Sequence, residues 1–523
     1  MKKIFDNIEK KQRYLIFALF LFATYCALTI GEAWDEKAML IHGKITLNYL
    51  LSFGQIKEDF IYRENYSTLY FSTLYLLTKA VPLKYEIEAT HIINLFFSLL
   101  TIYGISKFVS EVFNKHVGKI IFIIMFFYPI FFGHMGINSK DTILALCHVW
   151  ISFFIFRYIK NQHNKTEARN YLILIALLAS VGSGIQLVFL GSLLPIFIFI
   201  ILDIFYFKKI SVKKFNIAKF LFDTAICFVL FYILLVIFWI DTYPNIFVLP
   251  FKFLFATFSE TYWTGWPHNL INGIYYDSDK VPKNYIIINF ILKSPEYILI
   301  LYILFIIYLF KNKSFFIKSF NEFNYKIIFV FSLIIFPNLI LLFVPYPIYD
   351  GMRLFLWTLP YFLIIPSLVI YYLYKNKVSK IINISLSLAA IYFIFNFIQI
   401  TPYQYTYLNI LNGKKSERYQ KFENDYWGTS LNELIKYSKV SKNKKYLIGT
   451  CGVSPHIAKK ISYKIGYKNF KFVNEKDADL IIMTNRVIKN NNKLTNCFDK
   501  YDGKNLSVVK RGGSILSTIR KIK

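Results

Sequence analysis

Five cysteines and eight histidines in 523 residues are too few and too scattered to make a metal site by spacing. There is no glycine-rich phosphate loop of the nucleotide-binding kind and no GxSxG elbow, so ATP coupling and serine-hydrolase chemistry both lack a carrier. Acid is scarce as well: 31 Asp and Glu face 61 Lys and Arg, a formal net charge of +30. Such an excess raises the question of nucleic acid, but no base-reading motif or aromatic platform accompanies it, and no nucleic-acid partner is expected. Cys26, Cys147 and Cys227 lie in apolar runs, where small buried side chains are ordinary. Cys451 and Cys497 share the C-terminal stretch, where an oxidising compartment would permit a disulfide.

Apolar surface, by contrast, is in excess. At 56% hydrophobic and 20% aromatic residues the chain holds more apolar side chain than one soluble core buries, so the expected fold class is an all-α polytopic membrane protein. Runs long enough for a hydrocarbon core of about 20 helical residues recur. Eleven transmembrane helices are expected, at 14–30, 87–106, 120–136, 142–156, 170–186, 188–207, 220–240, 294–310, 327–345, 354–374 and 381–400. No small-residue cleavage site follows the first, which reads as an anchor and not a signal peptide. Alternate connections hold 24 Lys and Arg, whereas the short ones between them hold only Lys140 and Arg353. Basic residues in short loops stay cytoplasmic, which places the N-terminus inside and the end of the chain outside a cytoplasmic (inner) membrane. Long segments obey that rule poorly, so 31–86 and 241–293 read as outer loops.

The division expected is a membrane domain, 1–401, and an outer domain, 402–523. Residues 402–523 carry 25 Lys and Arg against 9 Asp and Glu. Their pattern suits a small α/β unit: a strand at 446–449, a helix over PHIAKKISYKIG, a buried strand at 478–484, and a hairpin LSVVKRGGSILSTI turned by Gly512 and Gly513. Its basic surface suits anionic lipid head groups or an anionic glycan, or is simply solvated.

Ionised groups at a membrane face tend to be paired or functional. By the topology above, several converge on the outer side: Asp35 and Glu36 in GEAWDEKAML, Arg63 in YRENYSTLYF, His134, Lys140 and Asp141 in HMGINSKD, Trp263, Trp266 and His268 in YWTGWPHN, and Asp350 and Arg353 in PYPIYDGMRLFLW. Together they would line a cavity with acidic and basic walls.

The WDE after the first helix, NSKD between the third and fourth, YDGMR before the tenth, and TPYQYTYLN with FENDYWGTSLNEL after the eleventh resemble the landmarks of bacterial membrane glycosyltransferases related to the protein O-mannosyltransferases, a family 39-like group. The similarity runs from Trp34 to about Tyr437. It implies the GT-C fold, a polyprenyl-phosphate-linked sugar donor, and an acidic residue of the first outer loop as catalytic base, which by position is Asp35 with Glu36 beside it. NSKD departs from an NPKD-like form, which weakens a role for Lys140.

The chemistry also fits the residues directly. Moving a sugar from a lipid phosphate to a hydroxyl needs a base for the acceptor proton and a cation for the departing phosphate. Asp35 suits the first; the planar fork of Arg353, the point charge of Lys140, or Arg63 suits the second. Asp141, His134, His268 and Asp350 would line the substrate. Plainer readings stand beside these: Asp35 capping a helix, Glu36 as an interfacial charge, Arg353 as an interfacial arginine beside Trp357, Lys140 snorkelling, Asp141 capping the fourth helix, and the tryptophans forming an aromatic belt. No cofactor is expected, with a divalent ion left open, and the acceptor is a lipid, a glycan or a protein. A lipid-linked glycan transporter and a non-catalytic scaffold are the alternatives.

Overall fold

The computed structural model describes residues 2–58, 66–211, 215–258, 265–343, 347–376 and 379–522, with backbone alone for 2–13. Among them six helices are long and apolar enough to cross a membrane: Leu83–Val112, Asp141–Asn161, Lys165–Ile185, Ile217–Ile237, Phe323–Phe343 and Lys380–Gln399. The bent pair Tyr285–Lys293 and Glu296–Lys311 brings these to seven, and four shorter apolar helices accompany them. The chain is a multi-pass membrane protein.

Eleven uninterrupted spans are not what the structure shows; proline breaks one expected span and bounds another. The expected helix 120–136 divides into Lys115–Phe126 and Pro129–His134, because Tyr128 before Pro129 is driven to an extended conformation (φ −74°, ψ 111°). At Ser294-Pro295 the backbone of Ser294 is likewise extended, and the helices on either side meet at 115°. On the side carrying the basic connections, Asn114, Asn164, Asn216 and Ser379 accept backbone N–H groups at helix starts, satisfying donors that would otherwise be orphaned.

The segment 31–86 is more than a loop: it folds as helices Glu36–Leu51 and Leu69–Thr78, packed on each other. The segment 241–293 carries a hairpin of β1 (His268–Ile271) and β2 (Ile274–Asp277). Asn272 and Gly273 turn it, both at positive φ, as a two-residue hairpin requires.

The C-terminal part is a five-stranded sheet. With β3 (Tyr446–Cys451), β4 (Phe470–Phe472), β5 (Leu480–Thr484), β6 (Val487–Asn490), β7 (Lys493–Asn496), β8 (Gly503–Arg511) and β9 (Ser514–Ile522), its order is β4-β3-β5-β9-β8, while β6 and β7 form a separate hairpin. The first three strands are parallel and the last two antiparallel. Gly512 and Gly513 turn the β8–β9 hairpin at φ +52° and +90°, and Cys451 and Cys497 form a disulfide.

This part shares an apolar cluster with the membrane part. Its apolar core is continuous with the ends of the membrane helices: Ile30, Ala33 and Ile137 cluster with Tyr403, Tyr405, Tyr426, Trp427, Leu431 and Ile448.

Candidate active site

The three acids that follow the first helix go to three different partners. Gly31 seats the loop by donating its N–H to the Thr429 carbonyl at 3.2 Å, and a Cβ there would lie 2.3 Å from that oxygen, so only glycine fits. Glu32 then pairs with Lys460 of the C-terminal part at 2.6 Å. Glu36 turns inward, 1% exposed, accepting the Ala33 N–H at 2.6 Å and facing His91 Nε2 at 2.8 Å. Burial pushes its carboxyl up from the ordinary 4.5, while the ion pair with His91 and the Ala33 N–H act the other way.

Asp35 alone faces open space. It stands at the start of Glu36–Leu51 but makes no side-chain capping bond there. Its carboxylate instead accepts from Lys140 Nζ at 3.3 Å. Burial by itself would raise this carboxyl, but Lys140, Arg353 and, to a lesser degree, Arg486 outweigh it and hold it below the ordinary carboxylate range.

Lys140 is aimed by Asn138. The Asn138 side-chain oxygen accepts the backbone N–H of Lys140 at 3.1 Å and of Asp141 at 2.8 Å, so the helix start expected to be capped by Asp141 is closed by Asn138. That frees the Asp141 carboxylate, which accepts from Asn138 Nδ2 at 2.9 Å and pairs with Arg353 Nε at 3.2 Å.

Arg353 is held on all sides. Nη1 donates to Asp350 at 2.7 Å and Nη2 to the Tyr349 hydroxyl at 3.3 Å, and the plane lies 5.0 Å from the ring centres of both Tyr349 and Trp427. Asp350 is shared: its other oxygen accepts from Nη1 of Arg486, which also bonds Glu423 at 3.3 Å and stacks 4.5 Å from the Trp266 ring.

These groups enclose one cavity of about 510 Å³, lined among others by Trp34, Asp35, Lys140, Trp266, Asp350, Arg353, Trp427 and Arg486. That size suits a small-molecule group. Of the residues singled out from the sequence, Asp35, Lys140, Asp350, Arg353 and Trp266 line it, and Asp141 lies directly behind Arg353. Glu36 does not line it. Neither does His134, buried against the Tyr426 hydroxyl at 2.8 Å, nor His268, which faces Asp277 across the β1–β2 hairpin at 3.0 Å. Arg63 and Trp263 lie outside the described residues. No three metal-ligating side chains converge among the described residues.

Sequence reasoning missed Arg486, Trp427, Tyr349 and Tyr66 as lining residues. Trp427 lies within FENDYWGTSLNEL, so that motif carried a signal. Arg486 sits among 25 basic residues with no local pattern to mark it.

No family model matches the sequence, and no curated protein matches it. Among solved structures, ArnT from Cupriavidus metallidurans in the apo state superimposes with a TM-score of 0.53 at 10% identity, over 98% of this chain and 98% of that one. The fold is GT-C. The same protein bound to undecaprenyl phosphate gives 0.51 at 9% identity, again over 98% of each chain. At such identities the likeness extends to the GT-C fold alone, C-terminal part included.

Proposed function

We propose that this chain transfers a sugar from a polyprenyl-phosphate-linked donor to an acceptor hydroxyl at the outer face of the membrane. The observation that carries the reading is the cavity itself: a carboxylate without a capping role, beside three cations, where membrane helices end. The acceptor oxygen bonds to the anomeric carbon, the bond from that carbon to the phosphate oxygen breaks, and the polyprenyl phosphate leaves with the electron pair. Asp35 takes the acceptor proton. The cationic wall stabilises the departing phosphate, and Trp34 and Trp266, packed edge to face at 6.0 Å, offer apolar surface to a sugar ring.

The Asp35–Lys140 pair gives the reaction an order. With no donor present, Lys140 keeps the carboxyl below its ordinary range. A phosphate that draws on the charge of Lys140 removes that restraint, so Asp35 becomes more basic once the donor is in place. Support for the donor class comes from the shared fold with a protein crystallised with undecaprenyl phosphate and from the resemblance of WDE, NSKD and YDGMR. The basic connections support the outer placement.

Mass spectrometry of lipid-linked sugars and surface glycans, in cells with and without the gene, tests the proposal. Loss of the gene should leave a lipid-linked sugar accumulating and a glycan missing its sugar. Unchanged pools of both would sink it.

A further inference from the structure

Of the three cations lining the cavity, one keeps a whole two-donor edge in reserve. Each nitrogen of the Arg353 guanidinium faces an oxygen: Nε lies 3.2 Å from the Asp141 carboxylate as an ion pair without hydrogen-bond alignment, Nη1 donates to Asp350 and Nη2 to Tyr349. A phosphate reaches that fork only by displacing a carboxylate or a phenol. Lys140 offers a point charge with no planar edge, and two of its three N–H groups are set against Asp35 at 3.3 Å and Tyr66 at 3.4 Å.

Arg486 is different. Nη1 alone meets both carboxylates, Asp350 and Glu423. No hydrogen bond reaches Nε or Nη2 among the described residues, and Nε is a buried donor without a partner. Yet the residue lines the cavity and is only 4% exposed. Nε–H and one N–H of Nη2 lie parallel along one edge of a guanidinium, the edge that takes two oxygens of a phosphate or carboxylate at once. A charged donor pair left unsatisfied in a buried place calls for an acceptor.

The segment carrying this side chain is fixed. The Trp266 ring covers the guanidinium, and its Nε1–H donates to the Val487 carbonyl at 3.0 Å. The Val487 N–H donates to Glu423 at 3.0 Å, and the Cys497 N–H donates to the Arg486 carbonyl at 2.9 Å. The disulfide ties Cys497 to Cys451 at the end of β3. Ordering of this kind lowers the entropy lost when a ligand binds.

We infer that Arg486, supplied by the C-terminal part, is the guanidinium that binds the donor phosphate, whereas Arg353 is a positioning residue that holds Asp141 and Asp350. This rests on the lipid-phosphate reading of the cavity. The membrane part alone then lacks a complete donor site.

Equilibrium binding of undecaprenyl phosphate to the full chain in detergent, followed by tryptophan fluorescence, tests the inference, with undecaprenol as the uncharged control and inorganic phosphate as competitor. Arg486→Gln should weaken undecaprenyl phosphate by about 10- to 100-fold and leave undecaprenol unchanged. Arg486→Lys should lose nearly as much, since a point charge replaces the two-donor edge. Unchanged affinity for undecaprenyl phosphate in Arg486→Gln, with the disulfide and thermal midpoint intact, overturns the inference. An equal loss for undecaprenol overturns it too, because it assigns Arg486 to domain docking. If the unaltered protein binds the alcohol as tightly as the phosphate, the donor reading fails instead. Inorganic phosphate that binds as tightly as the lipid, and only when Arg486 is present, upholds the anion site while removing the lipid as its ligand.

Discussion

Asp35→Asn separates chemistry from architecture because of how little the Asp35 carboxylate does for the fold. It closes no helix end, and its one ion pair, with Lys140, joins side chains 32% and 18% exposed. A part-buried pair still open to the cavity contributes on the order of 1 kcal/mol, so the variant should melt close to the unaltered protein. Asn keeps the shape and an accepting oxygen but takes no proton at neutral pH, and positioned proton transfer contributes about 10²- to 10⁴-fold. Initial rates with purified protein, a polyprenyl-phosphate sugar and an acceptor should therefore fall by that factor, while undecaprenyl phosphate still binds. The pH profile adds a check. Because Lys140 and Arg353 keep the carboxyl of the donor-free protein below the ordinary 3.8, no acid limb above about pH 4 in kcat/KM should belong to Asp35, whereas any limb it adds to kcat belongs to the donor-bound state and should lie higher. An Asn variant that keeps most of its turnover, well folded, would refute Asp35 as the base.

Three further outcomes follow from the same geometry. Glu36→Gln removes the carboxyl facing His91, whose imidazole can then shed a proton, and should destabilise the protein by about 1–3 kcal/mol, activity falling with the folded fraction; a variant of normal melting temperature with no turnover would instead give Glu36 a chemical role. Burial, helped by Asp350 and opposed by Arg486, raises the Glu423 carboxyl from 4.5 to about 7. The folded protein thus keeps a proton that the unfolded chain releases, so this contribution to stability is full below about pH 4.5, declines as the pH rises to about 7 and is flat beyond. Melting curves across that window should lose the slope in Glu423→Gln, and an unaltered slope would place the titration elsewhere. Lys504→Cys, at an exposed position on β8, should react with an impermeant thiol reagent in intact spheroplasts; labelling only after lysis would invert the topology and move the cavity to the cytoplasmic side.

The membrane helices were legible because hydrocarbon imposes one demand, a long apolar run, that sequence displays directly. The breaks at Pro129 and Pro295 were visible too, but each lies in or against an apolar stretch, and hydropathy does not register a backbone that cannot stay helical. The β1–β2 hairpin carried its signal in Asn272-Gly273 and was read as loop. At the site, the order of the landmarks was enough to bring Asp35, Lys140, Asp350 and Arg353 to one place. It did not divide labour among them. Glu32, Asp35 and Glu36 look alike in sequence, and what separates them is a lysine 428 residues away, a lysine 105 residues away and a histidine beneath. Nor does local pattern say that the fork of Arg353 is filled from within while that of Arg486 is not.

The shared core between the helix ends and the C-terminal sheet sets the order in which this protein becomes competent. The cavity's walls begin at Trp34 and finish at Arg486, so a ribosome has nearly completed the chain before the last wall exists. Until the C-terminal part has been made and has packed on the helix ends, Asp350 has one arginine in place of two and the loop at Gly31 has no Thr429 to rest on. A nascent or truncated chain therefore has no complete cavity before its last residues arrive. For the same reason, an exchanged C-terminal part would have to bring an arginine at the place of Arg486 to meet Asp350.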